Sequence, residues 1–483
     1  MASRVKSFRR PLAAAAVTSI AMSLVGASMA GAVDPSQQSS FGRMFPTLDP
    51  FRPSDQSLTN LVQTQRDKGL AQLDNDGVPA GFTYLGQFID HDLTRNTQPL
   101  PAAPFDPTTL KNFRTAAFDL DSVYGKGRTD PSSSHMYNPD GSFKVTEEED
   151  QVNGIDDLVR DEAGRATLLI EPRNDENVII AQMHLAVQSF HNRLIEEGKS
   201  FNEARRLTQW HYQWVVVNDY LPHVVGQDRV DMFLGKPVTR GFYQPGSPDA
   251  PMTPTEFSTA IFRYGHSQVR DSYEVNDLSE DAPIKVFDFA PGAEDLRGGQ
   301  HLNERTHIDW SEFFEIDGAQ EFEGNLSRKL DTKVSESLFN LPLGAPGLPS
   351  TGTNILGQLT LVRSSRYGIP SGQDVARHMG IPVLANNKLG LSQTAYPDFN
   401  GEAPLWFYML AESQLKEGGA RLGDVGGRII AEVFLDQLAV DPASYLNARR
   451  GFTPSVEHEG AFTIGDFLNF AGVVEEEEEE ATP

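Results

Sequence analysis

The chain has 483 residues, of which 39% are hydrophobic, so it can bury a sizeable core in one large domain or in several smaller ones. Its formal net charge of −26 argues against nucleic acid and anionic membrane surfaces as partners. The absence of cysteine excludes disulfides, thiolate zinc sites, iron–sulfur clusters and cysteine nucleophiles.

The first 32 residues have the pattern of a secretory signal peptide. Basic residues at the start precede an apolar stretch from Leu12 to Gly26, and the small residues at 30–32 (Ala-Gly-Ala) match a cleavage site. We therefore expect an exported protein whose mature form begins near Val33. The alternative is an uncleaved membrane anchor, which the Ala, Ser and Gly content of the segment disfavours.

Both ends of the mature chain are predicted to lie outside the main domain. Residues 33–55 are rich in Pro, Ser and Gln, which is typical of an extended arm laid over a folded body. Consecutive glutamates from Glu475 to Glu480 repel one another, so residues 471–483 are predicted to form an acidic, disordered tail. The sequence therefore predicts one domain, over residues 56–470.

Helical periodicity dominates that domain. In the clearest helix, 176–197, five residues form one apolar stripe at a spacing of three or four: Ile179, Met183, Ala186, Phe190 and Leu194. Similar patterns predict helices over 58–73, 203–220, 254–264, 334–339, 354–366, 373–378, 403–415, 425–438 and 464–470. Strand signals are few and short, and strands do not alternate with helices. The sequence therefore predicts a mainly α fold.

A cluster of polar residues interrupts an apolar segment at 86–92 (Gly-Gln-Phe-Ile-Asp-His-Asp). If this segment is helical, Gln87, Asp90 and His91 share one face by the i, i+3, i+4 spacing, and Asp92 points elsewhere. Burying such groups is unfavourable unless each finds a partner, so the cluster indicates a functional site. Taken alone, the run also fits a structural histidine in an Asp-rich loop.

Three further motifs follow in order. Arg173 and Glu176 lie three residues apart at the start of the clearest helix, the run 261–266 ends in Arg-Tyr-Gly-His, and the run 361–370 supplies two more arginines. The ordered set, over about residues 44–440, resembles the animal-type haem peroxidases of the peroxidase–cyclooxygenase superfamily.

The resemblance implies a single large, mainly α haem peroxidase domain that binds haem b. His91 matches the distal histidine, Gln87 its neighbour over the haem iron, and Arg173 the distal arginine. His266 matches the proximal iron ligand. These matches imply a peroxidase that reduces hydrogen peroxide and oxidises small donors such as halides, pseudohalides or phenols.

The resemblance also implies contacts at the haem edge and a calcium site. Asp90 and Glu176 match carboxylates that form ester bonds with haem methyl groups in some relatives, and Arg263 and Arg363 match residues that face the haem propionates. The implied calcium ligands are Asp92, Thr115, the Ala117 carbonyl, Asp119 and Asp121.

Each residue type suits its implied role. A neutral imidazole near its usual pKa can take a proton from hydrogen peroxide and return it to the departing oxygen. A fixed guanidinium stabilises the charge that develops as the O–O bond lengthens. Calcium binds six to eight hard oxygen ligands, which carboxylates, a hydroxyl and a carbonyl supply.

The chain departs from the family pattern at several positions. Thr360 stands where relatives have an Asn that accepts the proximal imidazole N–H, and a shorter side chain weakens that contact. Asn177 replaces the Met that is linked to a haem vinyl in the strongest halide oxidisers, so this linkage cannot form. The Gly-Asp that usually precedes the distal arginine motif is here Ile-Glu-Pro at 170–172.

Two alternative functions are weighed against the peroxidase. Fatty-acid oxygenases of the superfamily use a Tyr three residues before the proximal histidine; here that position is Arg263, and Tyr264 is expected to point elsewhere. A non-catalytic secreted haem- or calcium-binding adhesion protein would need neither His91 nor Arg173. Two further histidines, His184 and His191, are interpreted as structural.

Overall fold

The computed structural model describes residues 39–67, 74–146, 156–237, 241–247, 250–316, 322–343, 352–456 and 460–474. The predicted signal peptide, residues 33–38 of the predicted arm and residues 475–483 of the predicted tail lie outside these ranges. Within the described ranges, none of the helices combines the length and the apolar character needed to cross a membrane.

Helices supply most of the regular structure, which confirms the predicted mainly α fold. In chain order they are α1 (Asp55–Gln65), α2 (Gly81–Leu93), α3 (Asp121–Tyr124), α4 (Val178–Glu196), α5 (Phe201–Val215), α6 (Leu221–Val225), α7 (Gln227–Phe233), α8 (Thr255–Thr259), α9 (Leu356–Arg366), α10 (Gly372–His378), α11 (Leu405–Lys416), α12 (Asp424–Val440) and α13 (Ile464–Ala471).

The strands are short and lie at the edges of the helical body. They are β1 (Ser39–Gly42), β2 (Asp74–Pro79), β3 (Lys111–Asn112), β4 (Gly246–Ser247), β5 (Ala250–Pro254), β6 (Ser272–Tyr273), β7 (Ile284–Lys285) and β8 (Leu326–Arg328). One sheet has the order β3-β1-β5-β4, in which β1 is parallel to β5 and antiparallel to β3. The described part of the N-terminal segment is therefore paired with strands from two distant parts of the chain.

Helix α4 packs against α2 and α5 in the core, and its sequence explains why. Its cap is Asn177, whose side-chain Oδ1 accepts a hydrogen bond from the Ile180 N–H at 2.9 Å. All members of the predicted apolar stripe are buried, as are Phe88 and Ile89 on the facing helix α2. The stripe thus fixes how α4 sits against the segment that carries the polar cluster.

Four predicted helices differ from the structure. The predicted helix 58–73 ends at Gln65 in α1, and 334–339 contains only a 3₁₀ turn over Glu336–Phe339. The predicted helix 203–220 is α5 followed by a π-helical turn, Val216–Tyr220, that leads into α6. The predicted helix 254–264 is broken at Ala260, where φ is −125°, and continues as a 3₁₀ segment over Ile261–Ser267. Tighter 3₁₀ winding changes the direction of each successive side chain relative to an α-helix.

Candidate active site

Helix α2, the 3₁₀ turn Pro172–Asp175, the 3₁₀ segment Ile261–Ser267 and α9 surround a cavity of about 370 Å³. This volume lies within the usual range for cofactor and ligand sites. The residues predicted to face haem all line it: Gln87, Asp90, His91, Arg173, Glu176, Arg263, His266 and Arg363. The structure therefore gathers side chains from four separate segments into one cavity.

His91 is a neutral, buried imidazole near the end of α2. Its Nδ1 lies 2.9 Å from Asn174 Oδ1, and its Nε2 lies 3.6 Å from Glu176 Oε1. Burial, reinforced by the Arg173 guanidinium, lowers the pKa of His91 to about 3. The ring is therefore uncharged at neutral pH and offers one nitrogen lone pair as a base.

Arg173 is held by the fully buried carboxylate of Glu171. Arg173 Nε donates to Glu171 Oε1 at 2.9 Å, and Arg114 Nη2 donates to Glu171 Oε2 at 2.6 Å. Although burial alone would raise it, the two guanidinium groups hold the pKa of Glu171 well below its usual range. Arg173 Nη2 also donates to the carbonyl of Thr94, just after α2, at 2.6 Å. The positive charge is thus fixed beside His91.

Glu176 stands between Gln87 and His91 on the cavity wall. Gln87 Nε2 donates a hydrogen bond to Glu176 Oε1, and Asn177 Nδ2 donates to Gln87 Oε1 at 3.4 Å. Burial raises the pKa of Glu176 to about 8, even though the Arg173 guanidinium acts in the opposite direction. Burial therefore favours the protonated form of Glu176 near neutral pH.

The other two cavity arginines, Arg263 and Arg363, have different surroundings. Arg263 Nη1 donates to Asp90 Oδ2 at 2.8 Å, and Thr94 Oγ1 donates to Asp90 Oδ1 at 2.9 Å. Arg363 lines the same cavity, and no carboxylate is in salt-bridge distance of its guanidinium among the residues that the structure describes. Burial lowers the pKa of Arg363, as expected for a cation without a close counter-charge.

His266 lines the same cavity, next to Thr360 of α9. Its Nδ1 lies 3.5 Å from Thr360 Oγ1, whose own hydrogen is directed to the Leu356 carbonyl at 3.2 Å. The Thr360 oxygen can therefore only accept from His266, and at this distance the bond is weak. The Trp406 indole lies edge-on, with ring centroids 6.0 Å from His266.

Tyr264 lines the same cavity, which corrects the expectation that it points elsewhere. Its hydroxyl pairs with the hydroxyl of Tyr220, which also lines the cavity. The 3₁₀ winding of 261–267, in place of the predicted α-helix, accounts for the difference.

The sequence analysis did not single out Asn174, and it interpreted His184 as structural without its link to His91. Asn174 Oδ1 faces His91, and Asn174 Nδ2 donates to His184 Nδ1 at 2.9 Å. His191, by contrast, contacts the Tyr124 hydroxyl and the Gly141 carbonyl. The available signal was spacing, since His184 lies two helical turns beyond Asn177 and so on the same side of α4.

None of the predicted calcium ligands lines the cavity. Carboxylate oxygens of Asp92, Asp119 and Asp121 all lie within 4.8 Å of one another. Asp92 Oδ2 accepts from the Leu120 N–H at 3.1 Å, and Leu120 has a left-handed φ of 55°. Such strain at a non-glycine residue is typical of functional sites. Thr115 Oγ1 donates to Asp119 Oδ1 at 2.7 Å.

With all three carboxylates ionised, this cluster would carry more negative charge than the neighbouring guanidiniums balance. Burial raises the pKa of Asp92 to about 7 and also raises the pKa values of Asp119 and Asp121. Arg114 Nη1 lies 3.6 Å from Asp121 Oδ2, but the same guanidinium also pairs with Glu171. A cation among the three carboxylates would remove this imbalance. Ala117, whose carbonyl is the remaining predicted calcium ligand, is buried in the same loop.

Comparison of the sequence with known proteins identifies its family. A sequence model of the animal haem peroxidase family matches residues 91–388, which is more than half of the chain. The chain therefore belongs to the animal haem peroxidase family.

Individual relatives are distant. A peroxidase-like protein of Margaritifera margaritifera is 25% identical over 44% of this chain and 34% of its own length. Thyroid peroxidase of Sus scrofa is 27% identical over 50% of this chain and 26% of its own length. The chain thus spans about a third or less of these curated relatives.

Solved structures match more of the chain. Peroxidase A from Dictyostelium discoideum has a TM-score of 0.60 and 17% identity, covering 86% of this chain and 91% of that one. A fatty acid alpha-dioxygenase of Arabidopsis thaliana has a TM-score of 0.58 and 16% identity, covering 90% and 76%. Both share the fold, and they differ from each other in activity.

Proposed function

We propose that this protein is a haem peroxidase that reduces hydrogen peroxide and oxidises small donors such as halides, pseudohalides or phenols. One observation carries the proposal. His91 and His266 line the same cavity, and the Nδ1 of each faces an acceptor oxygen, of Asn174 and Thr360 respectively. In each ring, Nε2 is left as the nitrogen available to a ligand or substrate.

The cavity residues fit a haem b group. His266 would hold the iron. Arg363 lines the cavity without a carboxylate partner among the described residues, and it would pair with a haem propionate. Asp90 and Glu176 are the proposed ester attachment points. Asp90 is already paired with Arg263, so its attachment requires that ion pair to open. When bound, haem supplies the iron at which hydrogen peroxide is reduced.

His91 moves the proton. Its neutral Nε2 accepts a proton from hydrogen peroxide and returns it to the oxygen that leaves as water. A pKa near 3 keeps the imidazole in its basic form across the neutral range.

Arg173 stabilises charge beside His91. Arg173 Nε and Nη2 are engaged by Glu171 and the Thr94 carbonyl. Nη1 makes only a long contact, 3.9 Å, with Asp90 Oδ2, and it would donate to the oxygen on which charge develops. Because the guanidinium is already fixed, no reorganisation is needed as negative charge develops on that oxygen.

We also propose that calcium binds Asp92, Asp119 and Asp121, with Thr115 and the Ala117 carbonyl. The unbalanced, buried charge of the three carboxylates supports an ion at this position. Since Asp92 follows His91 in α2 and holds the Leu120 N–H, the ion would fix the loop against the distal helix. Export, expected from residues 1–32, remains a proposal to be tested by sequencing the N-terminus of the secreted protein.

A His91→Ala variant tests the proposed function. The variant should still bind haem through His266 and show a Soret band, while its reaction with peroxide slows by about 10²–10⁴-fold. His191→Ala is the matched control, because this histidine is also buried but contacts Tyr124 and Gly141. Stopped-flow absorption at the Soret band measures both rates. Equal rates in His91→Ala and the wild type would contradict the role of His91.

A fatty-acid oxygenase is the second candidate, and Tyr264 favours it. This residue lines the cavity that His266 lines and is hydrogen bonded to Tyr220. Oxygen uptake with a long-chain fatty acid after priming with peroxide, lost in Tyr264→Phe, would support it. Donor oxidation without such uptake would exclude it.

A further inference from the structure

A chain of hydrogen bonds leads from His91 away from the cavity and into α4. His91 Nδ1 lies 2.9 Å from Asn174 Oδ1, and Asn174 Nδ2 lies 2.9 Å from His184 Nδ1. Both Asn174 and His184 are fully buried. These distances are those of well-formed hydrogen bonds.

The Asn174 amide, which lies between the two imidazole rings, gives the chain of hydrogen bonds a direction. An amide oxygen only accepts and an amide nitrogen only donates. With this orientation, His91 carries its hydrogen on Nδ1, whereas His184 has a bare Nδ1 and carries its hydrogen on Nε2. The His184 Nε2 is buried and has no hydrogen-bond partner among the described residues. One buried N–H, at His184 Nε2, therefore has no partner among the described residues, whereas the oxygen and the nitrogen of the Asn174 amide are both hydrogen bonded.

We propose that Asn174 and His184 are positioning residues that hold His91 in the tautomer with hydrogen on Nδ1, so that Nε2 faces the cavity as a bare base. The inference rests on the proposed function, in which Nε2 receives a proton from hydrogen peroxide. The other tautomer presents an N–H at the same place and cannot accept that proton. Neither Asn174 nor His184 lines the cavity.

Each residue has its own part in the arrangement. The Asn174 backbone is fixed in the 3₁₀ turn, where its N–H donates to the Glu171 carbonyl at 2.9 Å. The backbone does not decide which end of the amide faces His91. That choice depends on the tautomer of His184. With Nδ1 bare, as the observed amide orientation requires, the His184 ring accepts only from the amide nitrogen. Without this acceptor the amide can turn over, and its nitrogen would then donate to His91 Nδ1.

Variants of both residues separate this role from simple packing. Asn174→Leu removes both hydrogen bonds, and His184→Leu removes the acceptor alone. His184→Asn restores an acceptor oxygen close to the position of Nδ1. His191→Leu is the matched control, because His191 lies two turns further along α4, is equally buried, and contacts Tyr124 and Gly141 instead.

The tautomer is read directly by ¹⁵N NMR of protein labelled at histidine. The haem-loaded protein in its reduced, carbon monoxide-bound form is diamagnetic, so the His91 nitrogens can be observed. We expect a protonated Nδ1 and a bare Nε2 in the wild type, His184→Asn and His191→Leu. Asn174→Leu and His184→Leu should show hydrogen on Nε2 in a large part of the population, and their reaction with peroxide should slow by about tenfold or more.

Two results would overturn the inference. One is a wild-type His91 with its hydrogen on Nε2, and the other is a His184→Leu protein that folds, binds haem and keeps the wild-type tautomer. Because the NMR spectrum does not depend on turnover, a wild type with the expected tautomer but no reaction with peroxide would contradict the proposed function and leave the hydrogen-bond chain intact.

Discussion

The Nδ1 of His266 lies 3.5 Å from the Oγ1 of Thr360, at the outer limit of a hydrogen bond. A histidine that ligates a metal becomes more basic when its second nitrogen donates a strong hydrogen bond. For the proposed role of His266 as the iron ligand, the weak contact predicts an imidazole that donates little electron density.

Substitutions at Thr360 test this relationship. Thr360→Asn brings a longer acceptor towards Nδ1, so we expect a stronger hydrogen bond and a lower iron reduction potential. Thr360→Val has nearly the same shape and no acceptor, so its potential should match or exceed that of the wild type. Spectroelectrochemical titration of the haem-loaded proteins measures all three values. A potential unchanged by Thr360→Asn would contradict the assignment of Thr360 as the partner of His266.

Glu171 is predicted to be essential for stability as well as for the position of Arg173. Glu171→Gln leaves the buried guanidiniums of Arg114 and Arg173 without their shared counter-charge, so the free energy of unfolding should fall by about 3–5 kcal/mol. Glu171→Asp keeps the charge on a shorter side chain and should lose less. Urea denaturation followed by circular dichroism gives the values, and a Glu171→Gln protein as stable as Glu171→Asp would be inconsistent with this pairing.

The three-aspartate cluster predicts that stability without calcium declines as pH rises. Burial raises the pKa of Asp92 in the folded state to about 7, whereas the pKa of an aspartate in the unfolded chain is about 3.9. Between these values the folded state keeps protons that the unfolded chain releases, so the free energy of unfolding falls as pH rises through 7. Calcium replaces those protons and should add about 2.7 kcal/mol at a concentration 100-fold above its Kd.

Melting curves with calcium and with a chelator, at pH 5 and pH 8, measure this effect. Calcium should raise the melting temperature more at pH 8 than at pH 5. Asp121→Asn removes one charge, so it should stabilise the chelated protein at pH 8 and reduce the gain from calcium. Melting curves that do not respond to calcium at either pH would contradict the proposed calcium site.

Part of this site was predictable because three of its residues lie close together in sequence. The i, i+3, i+4 spacing places Gln87, Asp90 and His91 on one face of α2, and the periodic stripe predicts α4. These patterns depend only on helical geometry. The order of the motifs along the chain then indicated the family, and the resemblance to that family assigned the other site residues.

Other contacts were not predictable because they join distant segments. Asp90 pairs with Arg263 and His91 with Asn174, and nothing in either segment specifies the other. The break at Ala260 turned a predicted α-helix into a 3₁₀ segment and placed Tyr264 on the cavity wall. Tertiary packing decides such details, and periodicity does not record them.

The most direct test of the peroxidase proposal is the absorption spectrum of the haem-supplied protein after a pulse of hydrogen peroxide. We predict a Soret band that shifts within the mixing time and returns when a halide or phenol is added. A stable Soret band that peroxide leaves unchanged would contradict the proposal and favour a haem-binding protein without turnover. Failure to form any Soret band would show that the chain has the family fold but does not bind haem.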